Sequence, residues 1–306
     1  MGARDARERH LQHLTGWLNR VGPTEGASLL RIALALIAWA QVGDRLSLAH
    51  ARDGWDVVLA IAFYCASSCM LVGWRGRLAA GATGLALVAI YHHFGEVHGI
   101  EALHRHQSWL LASTVLCLSL SPCHQHLSLD RRRQPLPLDG NLWGLRLIAL
   151  QLSVVYLFGA IDKTNPAFLS GARLEQIFAE HYFGAALPEW LSYVSAPVSV
   201  GITIFEYVLA IGLWVPRLRR PLMMLGITMH ACFFLLLPVS TFSILSVVLY
   251  LAYLEPVSVS IVCASFGINA RFGGVDRSGL LRAAGGTSLG RGEGTSACAP
   301  PASAQR

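Results

Sequence analysis

Lys163 is the only lysine among 24 basic residues; all the others are arginine. Such a ratio points to a bias that puts arginine wherever a plain positive charge suffices, so a retained lysine is a candidate for chemistry. What arginine cannot supply is loss of a proton near neutral pH, which a desolvated lysine can. Lys163 follows directly on the apolar run Leu142–Ile161, where a low dielectric is available, and a general base is the role that fits it. Two more ionisable side chains sit in the middle of apolar runs: Glu206 in TIFEYVLAIGLW and His230 in LGITMHACFF. A charge so placed costs a few kcal/mol or more. Glu206 is expected to face a protein interior with an Arg or Ser partner, either as a structural tie or as part of a site. His230 is expected to be a neutral imidazole bonded to a neighbour, or a proton carrier or substrate contact. Five histidines, His92, His93, His98, His104 and His106, crowd one stretch with Glu96 and Glu101. Residues of these types can bind metal, but their spacing matches no zinc pattern. The stretch reads as a solvated interfacial loop, and no metal site is expected.

These residues need elements to position them, and composition says which. Hydrophobic residues make up 54% of the chain and charged residues 14%, against about a quarter charged in soluble domains. An apolar solvent accounts for the difference. A helix of roughly 20 apolar residues crosses about 30 Å of hydrocarbon, and the backbone must be satisfied within it. Eight apolar segments qualify: Ala27–Val42, Val57–Trp74, Leu78–Phe94, Ser108–Ser121, Leu142–Ile161, Val198–Val215, Leu222–Pro238 and Val239–Leu254. No strand alternation is seen. The expected fold is all-α: a polytopic transmembrane helix bundle of about eight spans. Residues 1–26 form an N-terminal segment, 27–268 the membrane domain, and 269–306 a disordered tail rich in Gly, Ser, Ala, Pro and Arg. Ser258–Ile268 reads as interfacial. Basic residues divide 12 to 5 between alternate loops, which by the positive-inside rule puts both termini in the cytoplasm. Arg31 and Arg146, one turn inside their spans, are expected to snorkel to the interface. The first 26 residues lack the apolar core of a cleavable signal. The seven cysteines show no CxxC pair and read as small hydrophobes. The net charge of +6 is explained by loop arginines facing anionic lipid, and no nucleic-acid partner is expected.

The segment Tyr156–Gly171, YLFGAIDKTNPAFLSG, resembles the most characteristic stretch of the vitamin K-dependent gamma-carboxylases and their bacterial relatives, the HTTM (horizontally transferred transmembrane) domain proteins. Their pattern runs roughly Y-[FL]-x-[AG]-x-x-x-K-x-x-x-x-[WF]-x-x-G. Tyr156, Gly159, Lys163, Phe168 and Gly171 fill it without a gap, Phe168 standing where Trp is usual. His230 sits where the family has a His. The stretch His106–Asp130 is similar to the family's polar-opened span, which ends in the turn Ser128–Leu129–Asp130. Glu206 followed by Arg217, Arg219, Arg220 and Pro221 is similar to its sixth-span ending. The likeness covers about residues 20–260. It departs at Gln107, where carboxylases have His, and after His230, where Cys232, Phe233 and Phe234 replace polar residues. The large domain that follows the bundle in carboxylases has no counterpart here.

The resemblance implies Lys163 as base with Glu206 and His230 as catalytic partners. It also implies Tyr156, Phe168, Gln107 and His106 as a binding set for a reduced quinone such as vitamin K hydroquinone. Membrane lipid, the quinone, and a peptide or protein substrate are the partners implied, in a multi-pass protein of a bacterial inner membrane. Two functions stay open. One is a quinol- or isoprenoid-dependent carboxylase or oxidoreductase. The other is a non-catalytic membrane protein, either a lipid or small-molecule carrier or an accessory to peptide-toxin maturation or immunity.

Overall fold

A computed structural model describes residues 21–254 apart from 44, 47–50, 52, 104, 185 and 186. Most of the N-terminal segment, the Ser258–Ile268 stretch, the 269–306 tail, His104, Cys263 and Cys298 lie outside the described residues. Within them the fold is all-α, with one small exception. The main helices are α1 (Glu25–Val42), α2 (Gly54–Val72), α3 (Gly76–Ile90), α4 (His106–Ser119), α5 (Leu129–Arg133), α6 (Trp143–Lys163), α7 (Pro166–Leu169), α8 (Ala172–Phe178), α9 (Glu189–Gly212), α10 (Pro216–Leu236) and α11 (Ser240–Leu249). Helix α3 runs on as a π-helical turn, Tyr91–Val97, and α11 as a 3-10 turn, Tyr250–Tyr253.

Each of the eight apolar segments lies on a helix. Five helical stretches are long and apolar enough to cross a membrane: α1, α2, α3 with its π-turn, α6 and α9. Helix α4 is shorter, as is α11 with its 3-10 turn, and α10 opens with Arg217, Arg219 and Arg220. Two boundaries differ from the sequence expectation. Helix α9 starts at Glu189 instead of Val198, because Pro197 sits inside it and does not stop it. Helix α10 starts at Pro216 instead of Leu222: a proline at the first helical position lacks only an N–H that would have had no intrahelical acceptor. Large apolar side chains face outward along the bundle, among them Val58, Ile61, Leu78, Leu85, Phe158, Ile204 and Ile211. That is the surface a helix presents to lipid.

Helix α3 packs along both α2 and α4, α6 along α4 and α9, α10 along α11, and α1 against α2, α4 and α11. The exception to all-α is a short antiparallel ribbon, β1 (Val21–Pro23) with β2 (Asp139–Asn141). Thr24 reinforces it, its hydroxyl meeting Gln125 Oε1 at 2.7 Å and Leu138 O at 3.1 Å. The start of α1 and the start of α6 therefore lie at one end of the bundle. The linker after α4 is sealed at that end, with Cys123, Gln125, His126 and Ser128 buried. Burial pushes the Cys123 thiol up to about 11 and holds His126 below the usual histidine range, only partly offset by a hydrogen bond to Leu138 O. Ser128 caps α5 by accepting from Arg131 N, which gives the Ser128–Leu129–Asp130 turn a structural reason.

Arg31 corrects the snorkelling expectation. It is fully buried, and its guanidinium donates to Met70 O at 3.0 Å and Leu127 O at 2.7 Å. The α2 C-terminus and the linker place carbonyls with lone pairs to spare in its reach, so they replace the water it would otherwise seek.

Candidate functional site

Helix α6 carries the site along one face. Ala149, Ser153, Tyr156, Ala160 and Lys163 recur at spacings of four and three, the rhythm that keeps side chains on one side of a helix. The last of them, Lys163, ends the helix. Its ammonium donates to Glu206 Oε2 of α9 at 2.9 Å and to Gly159 O at 3.3 Å. Glu206 is sealed, its side chain 6% exposed, while the Lys163 side chain is 26% exposed. The sequence expected Arg or Ser beside Glu206; the partner is the lone lysine.

The remaining motif positions have visible reasons. A side chain at Gly159 would put its first carbon 3.3 Å from Glu206 Oε2 and 3.4 Å from Lys163 Nζ, so glycine keeps room for the pair. Asn165 caps α7 by accepting from Phe168 N, with Pro166 at the first helical position. That turn sets the Phe168 ring 5.9 Å from Lys163 Nζ, within cation–π range. Gly171 has φ +84, and a side chain there would meet Ser195 Oγ and Ala196 N at 2.5 Å. The chain can thus fold back onto α9, where Ser195 donates to Glu175 Oε1 at 2.6 Å.

Two turns further into the bundle, Tyr156 forms a buried polar hub. Its hydroxyl lies 2.8 Å from His230 Nε2 and 2.6 Å from the Tyr250 hydroxyl. Phe233 and Phe242 meet the His230 ring edge-on at 5.8 Å. The other imidazole nitrogen, His230 Nδ1, is buried with no hydrogen-bond partner, as are Ser243 Oγ and Ser246 Oγ of α11. Below the hub, Ser153 bonds the Tyr253 hydroxyl at 2.8 Å and accepts from Trp214 Nε1 at 2.7 Å, and Tyr253 donates to Ala149 O.

The structure thus joins Lys163, Glu206 and Phe168 in one group and Tyr156 and His230 in another on the same helix face. It does not join His106 and Gln107 to either. They begin α4, His106 exposed and Gln107 half-buried, and no hydrogen bond ties them to the α6 face among the described residues. Sequence reasoning missed Tyr250, Tyr253, Ser153 and Trp214. The available signal was weak: a tyrosine or tryptophan in an apolar helix must find a partner for its polar end.

The histidine stretch is also rearranged. His92 and Glu96 pair at 2.6 Å on the surface, while His93 turns inward to Asp56 Oδ1 at 2.8 Å. A family model described as the HTTM domain matches residues 47–257 of the chain. No curated protein and no solved structure matches it.

Proposed function

The chain belongs to the HTTM domain family and is an integral membrane protein, and from that premise we propose that it is a quinol- or isoprenoid-dependent enzyme in which Lys163 is the base. One observation carries this reading: the Lys163–Glu206 pair has an accessible amine and a sealed carboxylate. A proton passed from Nζ to Oε2 across 2.9 Å leaves two neutral groups, which a low-dielectric site tolerates better than an ion pair. The neutral amine then takes a proton from an acidic O–H of a ligand at the mouth of the pair. Glu206 holds the displaced proton, and Phe168 covers one side of the amine. Arginine cannot perform this exchange, because its guanidinium stays charged.

The residues fit a quinol on one further count. His230 Nδ1, Ser243 Oγ and Ser246 Oγ are buried and unpartnered, the kind of capacity a ligand oxygen satisfies. A bound hydroquinone would supply the acidic O–H and the reducing equivalents. Tyr156 and Tyr250 orient His230, and Phe233 and Phe242 keep water from its ring.

One observation favours a second reading, a non-catalytic lipid or small-molecule carrier. Lys163 is already satisfied by Glu206, Gly159 O and the Phe168 ring, which is also how a structural brace looks. The two separate in nanodiscs containing a reduced naphthoquinone. Quinol oxidation under air is followed by absorbance for the wild type and for Lys163→Arg. The enzyme reading expects acceleration by the wild type and background rate for the variant at unchanged thermal stability. Equal rates for both, or quinol retained without turnover by the wild type, replace it with the carrier.

A further inference from the structure

At the end of the bundle opposite the β-ribbon, four side chains from two sequence-distant segments converge. Asp53 and Asp56 come from the start of α2, and His93 and His98 from the π-turn and the residue that ends it. One ligand atom from each lies within 4.8 Å of all the others. The contacts are specific. Asp56 Oδ1 is 2.8 Å from His93 Nε2, and His98 Nε2 is 3.2 Å from the same nitrogen. The imidazoles stand perpendicular with centroids 4.5 Å apart, so their Nε2 atoms face each other edge to face. Asp53 caps α2 through Asp56 N at 2.9 Å.

The backbone is shaped to produce this. A π-turn advances about five residues per hydrogen-bonded ring, and the His98 N–H closes such a ring onto His93 O at 3.1 Å. An α-helical turn would bring residues three or four apart together, not five. The π-turn sets His98 over His93, and Gly99, at φ +66, turns the chain away immediately after. Phe94, 6% exposed, packs edge-on against the His93 ring at 5.0 Å, and Asp56 is 4% exposed. The cluster is therefore held from below and open from above, with Asp53 on the exposed side.

At His93 Nε2 two contacts meet at one nitrogen. His93 Nε2 has at most one hydrogen, and both Asp56 Oδ1 and His98 Nε2 lie within reach of it. Two carboxylates and two imidazole nitrogens, one atom of each within 4.8 Å of all the others, are a donor set that a cation takes. Zinc bonds to N and O at about 2.0–2.2 Å, which sets tetrahedral ligand atoms roughly 3.3–3.5 Å apart. The separations of 2.8 and 3.2 Å about His93 Nε2 fall short of this by about 0.1–0.7 Å, and every other separation is within 4.8 Å, so side-chain rotation brings the four to that spacing. We propose that Asp53, Asp56, His93 and His98 form a divalent transition-metal site, zinc by preference, that staples the start of α2 to the end of α3. Two imidazoles with two carboxylates suit zinc, manganese or iron(II) over soft Cu(I). The site goes beyond the base chemistry of Lys163 and shares no residue with it. It also departs, at His93 and His98, from the reading of this stretch as a solvated loop, while His92, Glu96, Glu101 and His106 are exposed.

The test uses the full-length protein in detergent, stripped with chelator, dialysed against micromolar zinc and measured by elemental analysis and thermal unfolding. One zinc per chain and a higher unfolding temperature on loading are expected. His98→Gln and Asp53→Asn should each weaken zinc by about 100-fold or more, above the 10–100-fold cost of losing a supporting group. Asp53→Asn keeps the helix cap, since asparagine caps as well, so a loss there is not a folding failure. His92→Ala should bind as the wild type does. A cobalt-loaded protein should show four-coordinate d–d absorption that His98→Gln removes. Wild type without stoichiometric zinc, or zinc retained in both His98→Gln and Asp53→Asn, or lost in His92→Ala instead, overturns the proposal.

Discussion

At the scale of single residues, Lys163 and Glu206 depend on each other. Removing one partner of a buried pair costs about 3–5 kcal/mol, because it strands a charge away from water. Glu206 is the sealed member, so Lys163→Met should be the more damaging single change. Adding Glu206→Leu to it should recover much of the loss. A double-mutant cycle on unfolding in detergent measures this; additive losses would mean that the 2.9 Å contact carries no coupling. Both residues were legible in the sequence for physical reasons: one was the sole lysine, the other a carboxylate in mid-span. Their pairing was not, since it links positions 43 residues apart. Tyr250 escaped notice because a tyrosine near the end of an apolar helix looks ordinary until its hydroxyl is traced to Tyr156. Asp53 and Asp56 escaped because acidic residues at a helix start are expected as caps. Gln107 entered only through resemblance and His106 through resemblance and the histidine stretch; among the described residues no hydrogen bond ties either to the α6 face.

At the scale of elements, the informative segments are those that break regularity. The turn from Thr164 to Gly171 redirects the chain from α6 onto α9 and carries Phe168 beneath the Lys163 amine. Gly171→Ala forces a side chain into a left-handed conformation and against the α9 backbone at 2.5 Å. The conformational part alone costs roughly 1–2 kcal/mol, and the collision adds to it. The variant should unfold at lower temperature and give faster protease cleavage within Asn165–Phe183; unchanged cleavage would show that the fold-back does not depend on this residue. The apolar runs made every long helix legible, because lipid leaves a chain few other options. The first turns of α9 were not legible: they lie before the apolar run Val198–Val215, and the helix continues through Pro197. The ribbon had no legible signal: each strand has three residues, and Gly, Pro, Asp and Asn are poor strand formers.

At the scale of the whole molecule, the two ends of the described chain meet. Val21–Pro23, Glu25, Gly26 and Leu251–Leu254 line one cleft of about 660 Å³ with Arg146, Trp214 and Arg219. A chain that starts and finishes at one end of a bundle has traversed it an even number of times. The eight-span reading with both termini in the cytoplasm, which rests on the 12 to 5 division of basic residues, is an expectation that topology mapping tests. Reporter fusions at residue 271 and within the Asp162–Pro188 segment are expected on opposite sides of the membrane. The same side for both would remove the eight-span topology while leaving the helices intact. Lys163 and the Asp53–His98 cluster both lie at the far end, so each is expected to exchange ligands with the extracytoplasmic side.

The ribbon has a consequence in time as well as in space. Thr24 and its acceptor Leu138 O are 114 residues apart, and β2 leaves the ribosome only after the five helices α1 to α5 have followed β1. Until then the backbone groups of Val21–Pro23 have no partner in the chain. Closure of the ribbon becomes possible only when α1 to α5 have been made, and both of its strands precede α6, the helix that bears the site, in the chain. Synthesis therefore has a natural halfway mark: once α1 to α5 have been made, the ribbon can gather their common end before the chemistry-bearing half is threaded in beside them.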